Sequence, residues 1–168
     1  MPVTPLHFGP GGLVALATRS SVSFLSFCAV NVLIDVESLY NMLTQQPRIH
    51  TFLHTYPGST LAAGAIILAF FPLRWLALKL PDWPFMAWRR LPIASVAAGA
   101  ILGAWSHVLL DSIMHSDITP WAPFSDANAL YRIVSLRTLH LFCLAAGGAA
   151  LLWWALRSNS SPKRGRGP

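Results

Sequence analysis

The chain has 168 residues, enough for one domain, and is 54% hydrophobic but only 11% charged. A soluble domain carries about 25% charged residues, so this composition, with a mean hydropathy of +0.52, excludes an ordinary soluble protein and predicts a membrane one. The net charge of +6 comes from few acids and clustered bases, which reads as membrane topology before nucleic acid.

Residues 1–18, MPVTPLHFGPGGLVALAT, form a Pro-rich lead and a helical piece too short to span a bilayer. Neither a basic start nor a small-residue cleavage pattern is present, so no cleavable signal peptide is expected. A second apolar run, Val22 to Ile34, ends at Asp35-Val36-Glu37. A helical hairpin bent near Arg19 would bring His7 back to the level of Asp35; one kinked helix over residues 4–34 is the alternative. From Ser38 to Pro57 the chain turns polar and holds Arg48, His50 and His54. Gly58 to Leu73, extended by RWLALKL, predicts a tilted spanning helix. The loop PDWPFMAWRR has the aromatic and basic content of a membrane–water interface. Leu91 to Leu110 predicts the next span, with Gly99 and Gly103 on a face suited to close helix packing. Thr138 to Leu156 predicts the last. The fold expected is therefore all-α, a polytopic integral membrane helix bundle with three full spanning helices plus an N-terminal hairpin or kinked first helix. Residues 1–157 form one membrane-embedded domain, and 158–168 a disordered basic cytoplasmic tail. Cys28 and Cys143 lie in apolar runs without a CxxC neighbour and read as small buried hydrophobes.

Charge counting orients the bundle. With loops alternating sides, Arg19, Arg74, Lys79, Arg89, Arg90, Arg157, Lys163, Arg164 and Arg166 fall on one side, and Arg48, Arg132 and Arg137 on the other. Nine against three makes the first side cytoplasmic. Five of the six histidines and every acid but Asp82 then gather toward the opposite face, and His7 joins them if the first helices form a hairpin.

The densest part of that face is AWSHVLLDSIMHSDITPWAPFSD, Ala104 to Asp126. His107 and Asp111 are four apart and stand on one helix face; His115 extends the row and Asp117 lies just beyond. Ionisable groups at the mouth of an apolar helix are costly unless something binds them, and a divalent metal ion is the expected occupant. His50-x3-His54 is a second pair at chelating distance if helical. Asp35 and Glu37 would face different ways on a continuing helix, which favours Asp35 as the ligand. The metal set read from these residues is Asp35, His50, His54, His107 and Asp111, with His7 either a further ligand or a solvated N-terminal histidine, and with Glu37 or His115 as general base or acid. Asn31 either lines the site or bonds a backbone carbonyl, His140 reads as a satisfied buried histidine, and Trp121, Pro123 and Phe124 as a lid or an interfacial anchor. Imidazole mixed with carboxylate suits zinc, manganese or iron better than calcium, and the number of candidates allows one or two ions.

TPLHFGPG, NVLIDVESLY, HTFLHTYPGS and SHVLLDSIMHSDITPWAPFS resemble, in that order, the membrane-bound metal-dependent hydrolases described as the LexA-binding, inner-membrane-associated hydrolase family (YdjM-like). The resemblance covers roughly residues 2–135. It implies the inner membrane of a bacterium or archaeon and a metal site from His7, Asp35, Glu37, His50, His54, His107, Asp111 and His115. The expected function is hydrolysis of a phosphoester or lipid-linked ester by metal-activated water at the extracytoplasmic face, with membrane lipids as surroundings and a lipid or phosphoester as substrate. A non-enzymatic metal-binding protein, a transporter subunit or sensor, is the alternative. The tail's few charges argue against nucleic acid.

Overall fold

Ser23 and Thr55 open the two helices that flank the candidate ligands, each by a side-chain oxygen that accepts a backbone N–H three residues on, from Ser26 at 3.2 Å and from Gly58 at 3.0 Å. In the computed structural model, residues 4–18 and 21–160 are described. Among them five α-helices, and no strands, make up the regular structure together with two short 3₁₀ turns. They are α1 (Thr4–Ala17), α2 (Phe24–Leu43), α3 (Tyr56–Ala77), α4 (Ile93–Met114) and α5 (Leu136–Ser160), with the 3₁₀ turns at Phe52–His54 and Pro84–Arg90.

Three of these helices are long and apolar enough to cross a membrane: Tyr56–Ala77, Ile93–Met114 and Leu136–Ser158. At 1.5 Å per residue, 22 residues reach about 33 Å, the thickness of a hydrocarbon core. α1 is apolar but short, as expected, and packs antiparallel to α2: Gly11 meets the Phe27 ring and Gly12 the Phe24 ring. The first helices thus form a hairpin rather than one kinked rod, although the expected bend at Arg19 itself lies outside the described residues. α2 is longer than expected and continues through Asp35 and Glu37 to Leu43. α5 likewise runs on to Ser160, so residues 158–160 are helical rather than part of the tail; residues 161–168 lie outside the described set.

α4 is the most enclosed of the three spanning helices. It runs parallel to α2, its neighbour on one side, because the contacts advance together: Ser95 O accepts from Ser23 N at 2.9 Å and Asn31 meets His107 further on. α3 lies antiparallel on its other side, with Trp105 Nε1 donating to Thr60 Oγ1 at 3.0 Å. α2 meets α4 at Gly99 and Gly103, the face that the sequence marks for close helix packing. A Cβ at Gly99 would collide with the Ser23 carbonyl, and one at Gly103 would lie 2.8 Å from the Phe27 carbonyl. Val30, Ile34, Ala62, Ala63, Ala100 and Ala104 fill the core between the three helices.

The ends of α2 and α4 and the beginnings of α1, α3 and α5 meet at one end of this bundle. There, Asn41 donates to Ile49 O at 2.9 Å and to Thr51 Oγ1 at 3.1 Å, tying the 44–55 connection to the last turn of α2. Asn128 donates to the carbonyls of Ser112 and His115, at 2.9 and 3.2 Å, and so caps the end of α4. At the opposite end, Arg89 is buried and donates to Ala77 O at 2.7 Å and to Asp82 at 2.5 Å, closing the α3–α4 connection.

Candidate metal centre

Each helix turn at this end delivers a specific group. α4 presents His107 and Asp111, one turn apart and both buried. α2 presents Asn31 and Asp35 in the same relation, facing α4. The 3₁₀ turn before α3 inserts His54, which is 1% exposed.

His107 Nε2 lies 3.2 Å from Asp111 Oδ2, 3.4 Å from Asp35 Oδ1 and 3.4 Å from His54 Nε2. His54 Nε2 lies 3.6 Å from Asp111 Oδ2 and 3.8 Å from Asp35 Oδ1. One ligand atom from each of Asp35, His54, His107 and Asp111 falls within 4.8 Å of all the others. Residues from separate helices, up to 76 positions apart in the chain, therefore point at one small volume.

The opposite ring nitrogens are held from outside. Asn31 donates through Nδ2 to Phe27 O at 2.7 Å, which turns its Oδ1 to accept from His107 Nδ1 at 2.9 Å. Glu37 accepts from the Leu53 N–H at 2.9 Å and from His54 Nδ1 at 3.3 Å. Asp117 accepts from His50 Nδ1 at 2.9 Å and from the His50 N–H at 3.3 Å. An oxygen that takes the proton of one ring nitrogen leaves the lone pair on the other, the arrangement in which histidines are aimed at metals.

In the neutral form, His54 and His107 thus turn two lone pairs toward two carboxylates. Four acceptors face each other, and the Ser38 hydroxyl, 3.3 Å from His54 Nε2, is the one donor the described residues bring to that atom beyond the histidines themselves. Asp35 Oδ2 and both ring nitrogens of His7 are buried without a hydrogen-bond partner among the described residues. His7 Nε2 is 3.2 Å from Asp111 Oδ1 without forming a hydrogen bond to it. Such a set is satisfied by a cation, and two imidazoles with two carboxylates suit a divalent zinc, manganese or iron ion.

His50 and His115 form a neighbouring pair with ring centroids 4.2 Å apart. The structure places one ligand atom from each within 4.8 Å of one another and of Asp111. His115 does not extend the helical row: α4 ends at Met114, and His115 is its cap in extended backbone. His50 and His54 are likewise not on one helix, and each goes to a different group around Asp111.

The electrostatics outside the spanning helices follow from burial. Burial, and then the neighbouring His54, hold His50 below the usual histidine value; burial and then His50 do the same for His115. Both are neutral at pH 7, the form that can ligate. Burial also disfavours a charged His54, but the carboxylates of Asp35 and Glu37 outweigh it and raise its pKa. The pocket prefers positive charge.

Of the residues named from the sequence, Asp35, His54, His107 and Asp111 come together in one group, His50 and His115 join Asp111 in another, and His7 adjoins Asp111. Glu37 faces His54 and the Leu53 N–H rather than the four-atom group. Asp126 is exposed, and His140, on α5, belongs to neither group. Trp121 packs on Tyr56 at 4.7 Å, and Phe124 is 82% exposed. Asn31 takes both expected roles at once. Ser38, Asn41 and Asn128 were not singled out from the sequence; Ser38 and Asn41, one and almost two turns beyond Asp35, become legible once α2 is known to continue. No family model, curated protein or solved structure matches this chain, so the resemblance to YdjM-like hydrolases rests on its sequence motifs.

Proposed function

We propose that the chain is a membrane-bound, metal-dependent hydrolase acting on a phosphoester or lipid-linked ester, with Asp35, His54, His107 and Asp111 holding the ion. The observation that carries this reading is the set of four acceptors turned inward while Asn31 and Glu37 hold the outer nitrogens of both imidazoles. When bound, a zinc or manganese ion supplies Lewis acidity and lowers the pKa of water. Hydrolysis then forms a bond from the water oxygen to phosphorus or carbonyl carbon and breaks the ester bond, the water proton ending on the leaving alcohol. Asp35 and Asp111 supply the negative charge that holds the ion. Glu37, whose oxygens are engaged by Leu53 and His54, is a positioning residue that aims His54 rather than a base that reaches substrate. The excess of arginine and lysine that the sequence puts in the loops of the other side supports an extracytoplasmic site.

A metal-binding role without turnover is the second reading, favoured by the depth of the group: His107 is fully buried and His54 1% exposed. The deciding experiment is elemental analysis of detergent-purified protein, followed by assay of phosphodiester and phospholipid substrates with and without chelator. Chelator-sensitive turnover supports the hydrolase; bound metal without turnover on either substrate supports the second reading; protein free of metal after reconstitution overturns both.

A further inference from the structure

Asp111 belongs to two groups of potential ligands, and its two oxygens are turned to different neighbours. Oδ2 is the atom near His54 and His107, at 3.6 and 3.2 Å, while Oδ1 lies 3.2 Å from His7. The second group adds His50 and His115, each with one ligand atom within 4.8 Å of the other and of Asp111. His50 has its Nδ1 fixed by Asp117, so Nε2 carries its free lone pair, repeating the pattern of His107 with Asn31 and His54 with Glu37.

Charge leads to the same place. Asp35, Glu37, Asp111 and Asp117 bring four carboxylates to one end of an apolar bundle, and among the described residues histidine, which ligates in its neutral form, is the one kind of basic side chain beside them. One divalent ion would neutralise half of this charge. Uncompensated charge in a low-dielectric setting is expensive, and a second divalent ion would complete the neutralisation.

We propose that His50, His115 and Asp111 form a second divalent-cation site, so that Asp111 bridges two ions of the zinc or manganese class. The proposal rests on the hydrolase reading only for its consequence: a pair of ions held here would be able to stabilise both the attacking and the leaving oxygen of a phosphoryl displacement, which favours a phosphoester as substrate. As a ligand, His115 has no free lone pair for proton transfer, so it leaves the acid or base role that the sequence suggested.

The test is manganese titration of detergent-purified, metal-stripped protein, read by elemental analysis and by electron paramagnetic resonance. The wild type should take up two Mn²⁺ per chain and show an exchange-coupled spectrum. His115→Ala should take up one and show the spectrum of an isolated ion; His50→Gln, a gentler change of volume, should do the same if His115→Ala fails to fold. A wild type that binds one ion, lost on His107→Ala, would overturn the second site and leave the first standing. Two ions retained in both the His115 and His50 variants would also overturn it. A wild type that binds none would remove the metal reading altogether.

Discussion

His54 and His107 face each other through their Nε2 atoms at 3.4 Å, although 53 residues separate them in the chain. Each ring is backed by an oxygen on its far side, from Glu37 and from Asn31. Two neutral imidazoles so arranged, with Asp35 and Asp111 beside them, lack a proton to share at their centre, and a cation fills that need.

Asp111 serves both groups, so its loss should be the most damaging single change. Asp111→Asn keeps the shape of the side chain but removes the charge, and metal affinity should fall more than ~100-fold, beyond the range seen when only an outer partner is lost. Elemental analysis of purified protein reads the result, with membrane yield as the control for insertion. Unchanged metal content would take Asp111 out of the site.

The outer partners should have graded effects. Asn31→Ala and Glu37→Ala should each weaken metal binding by ~10–100-fold without abolishing it. Glu37→Gln keeps an acceptor oxygen for His54 Nδ1 and should lose less than Glu37→Ala. Competition with a chromogenic chelator measures the series; equal losses in the two Glu37 variants would contradict a positioning role.

Protons and metal should compete. His54 has its pKa raised above the ordinary histidine value despite burial, because Asp35 and Glu37 favour its charged form. It therefore ligates when neutral, at pH above that raised value, and holds a proton increasingly below it. Metal affinity should fall as pH falls, by about one log unit per pH unit for each proton displaced. His50 and His115 lie below the ordinary value and should begin to compete only at lower pH. Isothermal titration in buffers of different ionisation enthalpy counts the protons released. A pH-independent affinity between pH 5 and 8 would exclude histidine ligation.

Packing and site should be coupled through Gly103. A Cβ there would come within 2.8 Å of the Phe27 carbonyl and 3.1 Å of Asn31 Nδ2, the groups that orient His107. Gly103→Leu should cost about 1–3 kcal/mol from overpacking and weaken metal binding as well. Gly64, on the outer side of α3 with no atom near its Cβ position, is the control: Gly64→Leu should change neither. Thermal unfolding in detergent, with and without added Mn²⁺, separates the two effects.

Much of this was legible before any coordinates. The apolar runs predict α3, α4 and α5 because helices in hydrocarbon satisfy their own backbone groups. The i, i+4 spacing of His107 and Asp111 places them on one face. The small residues at Gly99 and Gly103 mark where α4 meets another helix. The polar run after Asp35 misled on the length of α2: its Ser38 and Asn41 face the site and the 44–55 connection, so polarity there signals contact with the site rather than the end of a helix. The His50-x3-His54 spacing suggested a helical pair, but the two do not share a helix; their rings meet edge to face, with centroids 4.7 Å apart, and go to different ligand groups.

Composition, periodicity and charge asymmetry by themselves determined a helical membrane bundle with its histidines and carboxylates gathered toward one end, because those properties depend on local repeat and on the cost of burying charge. Tertiary structure alone decided which of those groups meet, which nitrogen of each imidazole is turned inward, and that one aspartate stands between two sets of ligands. Such choices depend on contacts across 17 to 76 residues of chain, where an oxygen of Asn31, Glu37 or Asp117 accepts from a ring nitrogen and fixes a ring that its own helix or turn leaves free to rotate.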